Sequence, residues 1–132
     1  MIANGGGRII HMASTTGTVA RPNLTSTSVA KTAIIRLSEG LSAEGVPHNV
    51  RSFSIHPGIV RTRLLESYGL QIPDSMFSAP ERAGVLCERL ASGNYDALSG
   101  TFITVDDNLD AMLARADEIA TSRQNTLGIA RV

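Results

Sequence analysis

The sequence predicts an α/β fold of three parallel strands with flanking helices. Two observations predict it. Short apolar runs alternate with longer stretches of helical periodicity, in the order strand, helix, strand, helix, strand, helix. The first run, Arg8 to Ser14, is mostly apolar rather than alternating, which suits a strand buried on both faces of a parallel sheet. A chain of 132 residues fits one domain and can bury roughly two-thirds of the surface its unfolded form exposes.

Taken in order, Gly5-Gly6-Gly7 come first. Glycines that cradle a dinucleotide phosphate follow a strand and open a helix, so that helix N-terminal amides face the pyrophosphate. These precede the strand, and they read as a flexible turn feeding it. Ser14-Thr15-Thr16-Gly17 ends the first strand with turn chemistry, and Arg21-Pro22-Asn23 continues the loop. A helix over Thr27–Glu44 follows, with Ala30, Ala33, Ile34, Leu37 and Leu41 predicted as its buried stripe. Gly45 and Pro47 end it. Asn49 to His56 is the second strand, its apolar weight carried by Val50, Phe53 and Ile55. Residues 63–78 are mixed, interrupted by Gly69 and Pro73, and read as a loop. Pro80-Glu81 opens the next helix in first-turn manner. Its inner stripe is Ala83, Leu86, Cys87 and Leu90, which makes Cys87 a core residue rather than a nucleophile. Gly93-Asn94 stops that helix. Gly100 to Val105 is the third strand, and Asp106-Asp107-Asn108 caps a single final helix. Leu109, Met112, Leu113, Ala116, Ile119 and Ala120 form its apolar face, with Arg123 near its end. The tail, Leu127 to Val132, is expected to pack as an extended strip.

Composition narrows the function classes. Apolar residues make up 42% and charged ones 18%, an ordinary globular balance. Twelve basic residues against twelve acidic ones argue against a nucleic-acid or anionic-membrane surface, which needs a basic excess. Cys87 is alone, so no intrachain disulfide is possible and a reducing compartment is the default. No signal peptide is recognisable at Met1-Ile2-Ala3-Asn4-Gly5, and no apolar run approaches the ~20 residues of a membrane span. The expectation is a soluble, cytoplasmic domain. His11, His48 and His56 are too scattered to read as a metal set.

The residues with chemistry stand at fixed spacing. Ser14 ends the first strand, where functional residues of open parallel sheets gather. Thr27 follows thirteen positions later and Lys31 four after that, so Thr27 and Lys31 project from one helix face. This pattern resembles the active-site region of the short-chain dehydrogenase/reductase family, which carries Ser, Tyr and Lys at these places. Thr27 stands at the family's Tyr position. The segment from Pro57 to Thr62 is similar to the family's Pro-Gly-x-Val-x-Thr.

The resemblance runs from Met1 to Val132 and implies the C-terminal half of a partial Rossmann-like, doubly wound fold. The N-terminal half, with its glycine-rich phosphate loop, is expected to be absent from residues 1–132. The resemblance also implies NAD or NADP as cofactor and a small-molecule carbonyl or alcohol as substrate. Ser14 would orient the carbonyl, and Lys31 would bind a ribose hydroxyl. Pro57, Gly58, Val60 and Thr62 would line the nicotinamide end. Residues 63–78 correspond to the family's substrate loop, which implies Leu64, Leu65 and Tyr68, with Leu70 and Met76, beside the substrate.

The Thr at position 27 bears on chemistry. Carbonyl reduction needs a proton donor at the developing alkoxide. A phenol of pKa ~10 can be brought into use by an adjacent ammonium, whereas the aliphatic hydroxyl of Thr27 is a far weaker acid on a much shorter side chain. Two functions are therefore expected. Either the chain is half of an oxidoreductase whose activity belongs to a longer or partnered protein, or it is a non-catalytic remnant serving as a binding or dimerisation module. Cofactor binding by the chain alone is expected to be weak. The first strand, outermost on its open side, points to self-association or a partner chain.

Overall fold

The computed structural model describes residues 1–129. Its centre is a three-stranded parallel sheet in the order β1 (Gly7–Met12), β2 (Val50–His56), β3 (Phe102–Thr104). β1 registers Gly7 with Val50 through Met12 with Ile55, and β2 registers Ser54 with Phe102. The ladder runs past both strand ends through Ala13 N–H to Ile55 O and Val105 N–H to His56 O. The strand order follows from the two helical crossovers, because parallel neighbours need a connection long enough to return to the starting end.

One sheet face carries the main core. Phe53, Ile55 and Ile103, with Ile10 alongside, pack against Leu86 and Leu90 of α3 (Glu81–Ala91), Leu109 of α4 (Leu109–Leu113) and Ile119 of α5 (Ala116–Ser122). Cys87 packs at the margin of this cluster, where burial pushes its thiol pKa up. Tyr95 joins the core and donates to Asp110 Oδ1 at 2.6 Å, while Arg89 donates to the same oxygen at 2.8 Å. At the other end of the sheet, Arg8 grips Asp96 through two bonds of 2.9 and 2.6 Å.

The opposite face is covered by α1 (Thr25–Gly45), and here the predicted stripe is corrected. Buried on α1 are Ser28, Ile35, Ser38, Ser42 and Gly45. Of the predicted set, Ile34 and Leu41 are half-buried, whereas Ala30, Ala33 and Leu37 are exposed. Small residues let the helix lie close on the sheet. Ser38 and Ser52, both fully buried, share a 3.0 Å hydrogen bond, and Ser42 shares one of 2.7 Å with Ser99. The Ser38 and Ser42 hydroxyls are each satisfied by another, so the contact needs no large apolar side chain there.

Two further boundaries differ from expectation. The final helix is two pieces, α4 and α5, joined by a turn at Ala114 and Arg115. Asn108 caps α4, accepting from Asp110 N and Ala111 N at 3.1 Å each. The new helix starts with Asp117 and Glu118 in its first turn, where negative charge favours an N-terminus. The 63–78 loop holds a short helix, α2 (Arg63–Ser67), and a 3-10 turn over Asp74–Met76. Of the tail, Leu127 packs beside Ala13, Ile35 and Phe102, and Ala130 to Val132 lie outside the described residues. No helix among the described residues is long and apolar enough to cross a membrane.

Candidate active site

The predicted site residues gather at the carboxyl end of the sheet. Ser14, extended at φ −166° and ψ 154°, caps the single turn Thr15–Gly17 by accepting from Thr16 N at 3.2 Å. Thr16 Oγ1 donates to the same oxygen at 3.1 Å. Ser14 keeps its own hydroxyl proton for another acceptor. The turn is pinned to α1 at Gly17, where an added Cβ would sit 2.7 Å from the Lys31 carbonyl carbon. Thr32 Oγ1 donates to Gly17 O at 2.8 Å. Glycine is needed there because two backbones meet.

Lys31 is half-buried, and its Nζ donates to Met12 O at 2.8 Å. The ammonium therefore spans from α1 to the last residue of β1, two residues before Ser14. An ammonium has three donors, so two remain for a ligand. Thr27, one turn earlier on α1, is half-buried, and its Oγ1 is hydrogen-bonded to Tyr68 Oη at 3.1 Å. Among the described residues no hydrogen bond joins Ser14 directly to Thr27 or Lys31. The three groups share one end of the sheet through the β1–α1 framework.

The segment after β2 is braced from outside. Gly58 has φ +80°, and a Cβ there would stand 2.3 Å from Ser78 Oγ. Both the conformation and the contact require glycine. Ile59 forms an isolated parallel bridge with Phe77, and Ser78 N–H donates to Ile59 O at 2.8 Å. Arg61 lies over the Phe77 ring at 4.1 Å. Thr62 caps α2, its Oγ1 accepting from Leu65 N at 3.2 Å. Of the substrate-loop residues, Leu64 is exposed, Leu65 half-buried, and Tyr68 follows α2 as its C-cap, its own N–H donating to Leu65 O at 3.2 Å.

His56, immediately before Pro57, was not among the predicted site residues. Its Nδ1 is buried with no hydrogen-bond partner among the described residues. Burial lowers its pKa from the ordinary 6.5, and the charge of Asp106 offsets part of that shift. The contact between Thr27 and Tyr68 was also outside the sequence reading, which placed Tyr68 only in the loop. No spacing rule joins positions 41 residues apart.

Known proteins place this geometry. The profile of the short chain dehydrogenase family matches residues 1–72. The chain is 34% identical over 123 residues to the oxidoreductase UcpA of Escherichia coli K12, covering 80% of this chain and 47% of that protein. It is 28% identical over 115 residues to an NAD-dependent glycerol dehydrogenase of Listeria innocua, covering 80% of this chain and 45% of that one. A short-chain type dehydrogenase/reductase from Mycobacterium marinum superposes with a TM-score of 0.69 at 29% identity, over 80% of this chain and 45% of that structure. The chain thus spans about half the length of the curated relatives it matches.

Proposed function

The chain belongs to the short-chain dehydrogenase family, and from that premise we propose that residues 1–132 form the C-terminal half of an NAD(P)-dependent oxidoreductase domain. The observation that carries the reading is the Lys31 ammonium at the end of β1, with two donors free, on the helix face that also holds Thr27.

The residues present fit one end of a dinucleotide. Lys31 would hold a ribose hydroxyl, and the Pro57, Gly58, Val60 and Thr62 segment would line the nicotinamide. They do not fit its phosphates. Gly5 and Gly6 precede β1 and Gly7 opens it, at the opposite end of the sheet from Lys31, and Gly6 and Gly7 are already packed. Gly7 N–H donates to Asn49 O at 3.0 Å, and a Cβ at Gly6 would meet that oxygen at 2.2 Å. Phosphate binding is assigned to a half-domain supplied elsewhere, in a longer or partner chain.

When bound, a reduced nicotinamide supplies a hydride. What this chain contributes is orientation and charge. Ser14 would donate its free proton to a substrate oxygen, Lys31 would fix the ribose, and the braced segment from Pro57 to Thr62 would line the nicotinamide end. Substrates are small carbonyl or alcohol compounds, and the setting is cytoplasmic.

Co-expression with the part of UcpA that precedes its match to this chain tests the reading. The complex should reduce a carbonyl panel with NADH or NADPH, and the chain alone should not. A stable complex that neither binds cofactor nor turns over would refute it.

A second reading, a non-catalytic dimerisation module, is favoured by one observation. Val29 and Leu37 on the outer side of α1 are exposed, a surface suited to another helix.

A further inference from the structure

We propose that Tyr68 is the proton donor of this site, its phenol delivered from α2 and held by Thr27 at the place a tyrosine at position 27 would otherwise serve. This rests on the oxidoreductase reading above and names the acid that reading lacks.

Three observations carry it. First, Tyr68 Oη and Thr27 Oγ1 are hydrogen-bonded at 3.1 Å. The phenolic oxygen is thus one hydrogen bond beyond a short side chain, a reach from the helix comparable to that of a tyrosine rooted at position 27. Second, the phenol arrives on a defined strut. Thr62 caps one end of α2 and Tyr68 closes the other, five helical residues later. The residues lining the nicotinamide and the acid are therefore joined by one short helix. Third, Lys31, the only lysine in the chain, stands one turn from Thr27 on the same helix face.

The roles divide cleanly. Either hydroxyl can donate in this pair; in the proposed role Thr27 is the donor to Tyr68 Oη, which leaves the phenolic proton free for a substrate oxygen. Hydride from a bound reduced nicotinamide would add to the carbonyl carbon, its electron pair forming the new C–H bond while the C=O π pair moves onto oxygen. The Tyr68 Oη–H bond breaks and the substrate O–H bond forms. The phenolate would keep the Thr27 hydrogen bond and regain a proton from solvent. Tyr68 touches the reacting oxygen and is the catalytic residue; Thr27 is a positioning residue.

The test uses the full chain, without cofactor. Labelling with [13Cζ]tyrosine gives one resonance each for Tyr68 and Tyr95, assigned with Tyr68→Phe. Thr27→Val should move the Tyr68 resonance and Thr27→Ser should not, with Tyr95 fixed in both. A Tyr68 resonance indifferent to Thr27→Val overturns the proposal.

In the co-expressed complex, Tyr68→Phe should lower kcat about a hundredfold or more with KM little changed. Adding Thr27→Tyr should restore much of it. Turnover by Tyr68→Phe equal to wild type overturns the proposal while leaving the oxidoreductase reading intact. A complex inactive in every form overturns that reading, and the labelling results still decide where Tyr68 is held.

Discussion

Three single residues control the geometry at the end of the sheet. Gly58 is the least replaceable, because its left-handed φ of +80° coincides with a contact that no Cβ fits. Gly58→Ala should destabilise the chain by about 2 kcal/mol, read from urea unfolding. A loss within a few tenths of a kcal/mol would mean the segment relaxes freely. His56 makes stability depend on pH. Its folded pKa lies below the unfolded 6.5, so between those values the unfolded chain binds a proton that the folded chain does not. Stability therefore falls as pH drops through that window. Unfolding at pH 7.5 and 5.5 should show the drop, and His56→Gln should flatten it. Equal slopes in the two proteins would contradict the assignment. Lys31 acts differently, through the reach of its ammonium to Met12 O, which joins helix and strand while leaving donors for a ligand.

At the scale of elements, α1 shows where sequence reading succeeds and where it stops. Its extent was legible, since helical periodicity, Gly45 and Pro47 all agree on one helix. Its inner face was not. Apolar periodicity picks out Ala30, Ala33 and Leu37, yet the sheet takes Ser28, Ser38 and Ser42. A buried serine reads as polar until its partner is known, and Ser52 and Ser99 lie on other elements. The spacing of Ser14, Thr27 and Lys31 was legible because all three lie within one strand–turn–helix unit. Tyr68 reaches Thr27 across a loop, and that contact was not legible. The serine face makes its own prediction. Ser38→Ala should cost about 1–2 kcal/mol by leaving Ser52 Oγ buried without its partner, and adding Ser52→Ala should recover part of that loss. A double variant as unstable as the sum of the singles would show that the hydroxyl pair is not coupled.

At the scale of the whole molecule, one boundary is open. β1 pairs only with β2 among the described residues, so its outer edge offers unpaired backbone groups with Met12 exposed nearby. The outer face of α1 adds exposed Val29 and Leu37. Exposed edges and apolar faces of this kind pair with other chains. Light scattering after size exclusion should find mass rising with concentration for the chain alone. A monomer unchanged at high concentration would show that the edge is protected.

The unpaired edge of β1 and the packed glycines at its start both agree with the proposed reading of the chain as half of a cofactor site. Titration calorimetry of the isolated chain with NAD and with NADP tests this most directly. The nicotinamide-end contacts alone should give no binding in the micromolar range, because Gly5, Gly6 and Gly7 turn into and open β1, while Gly17 and Gly58 are packed against Lys31 and Ser78 rather than open to a phosphate. A micromolar dissociation constant for either cofactor would contradict the account.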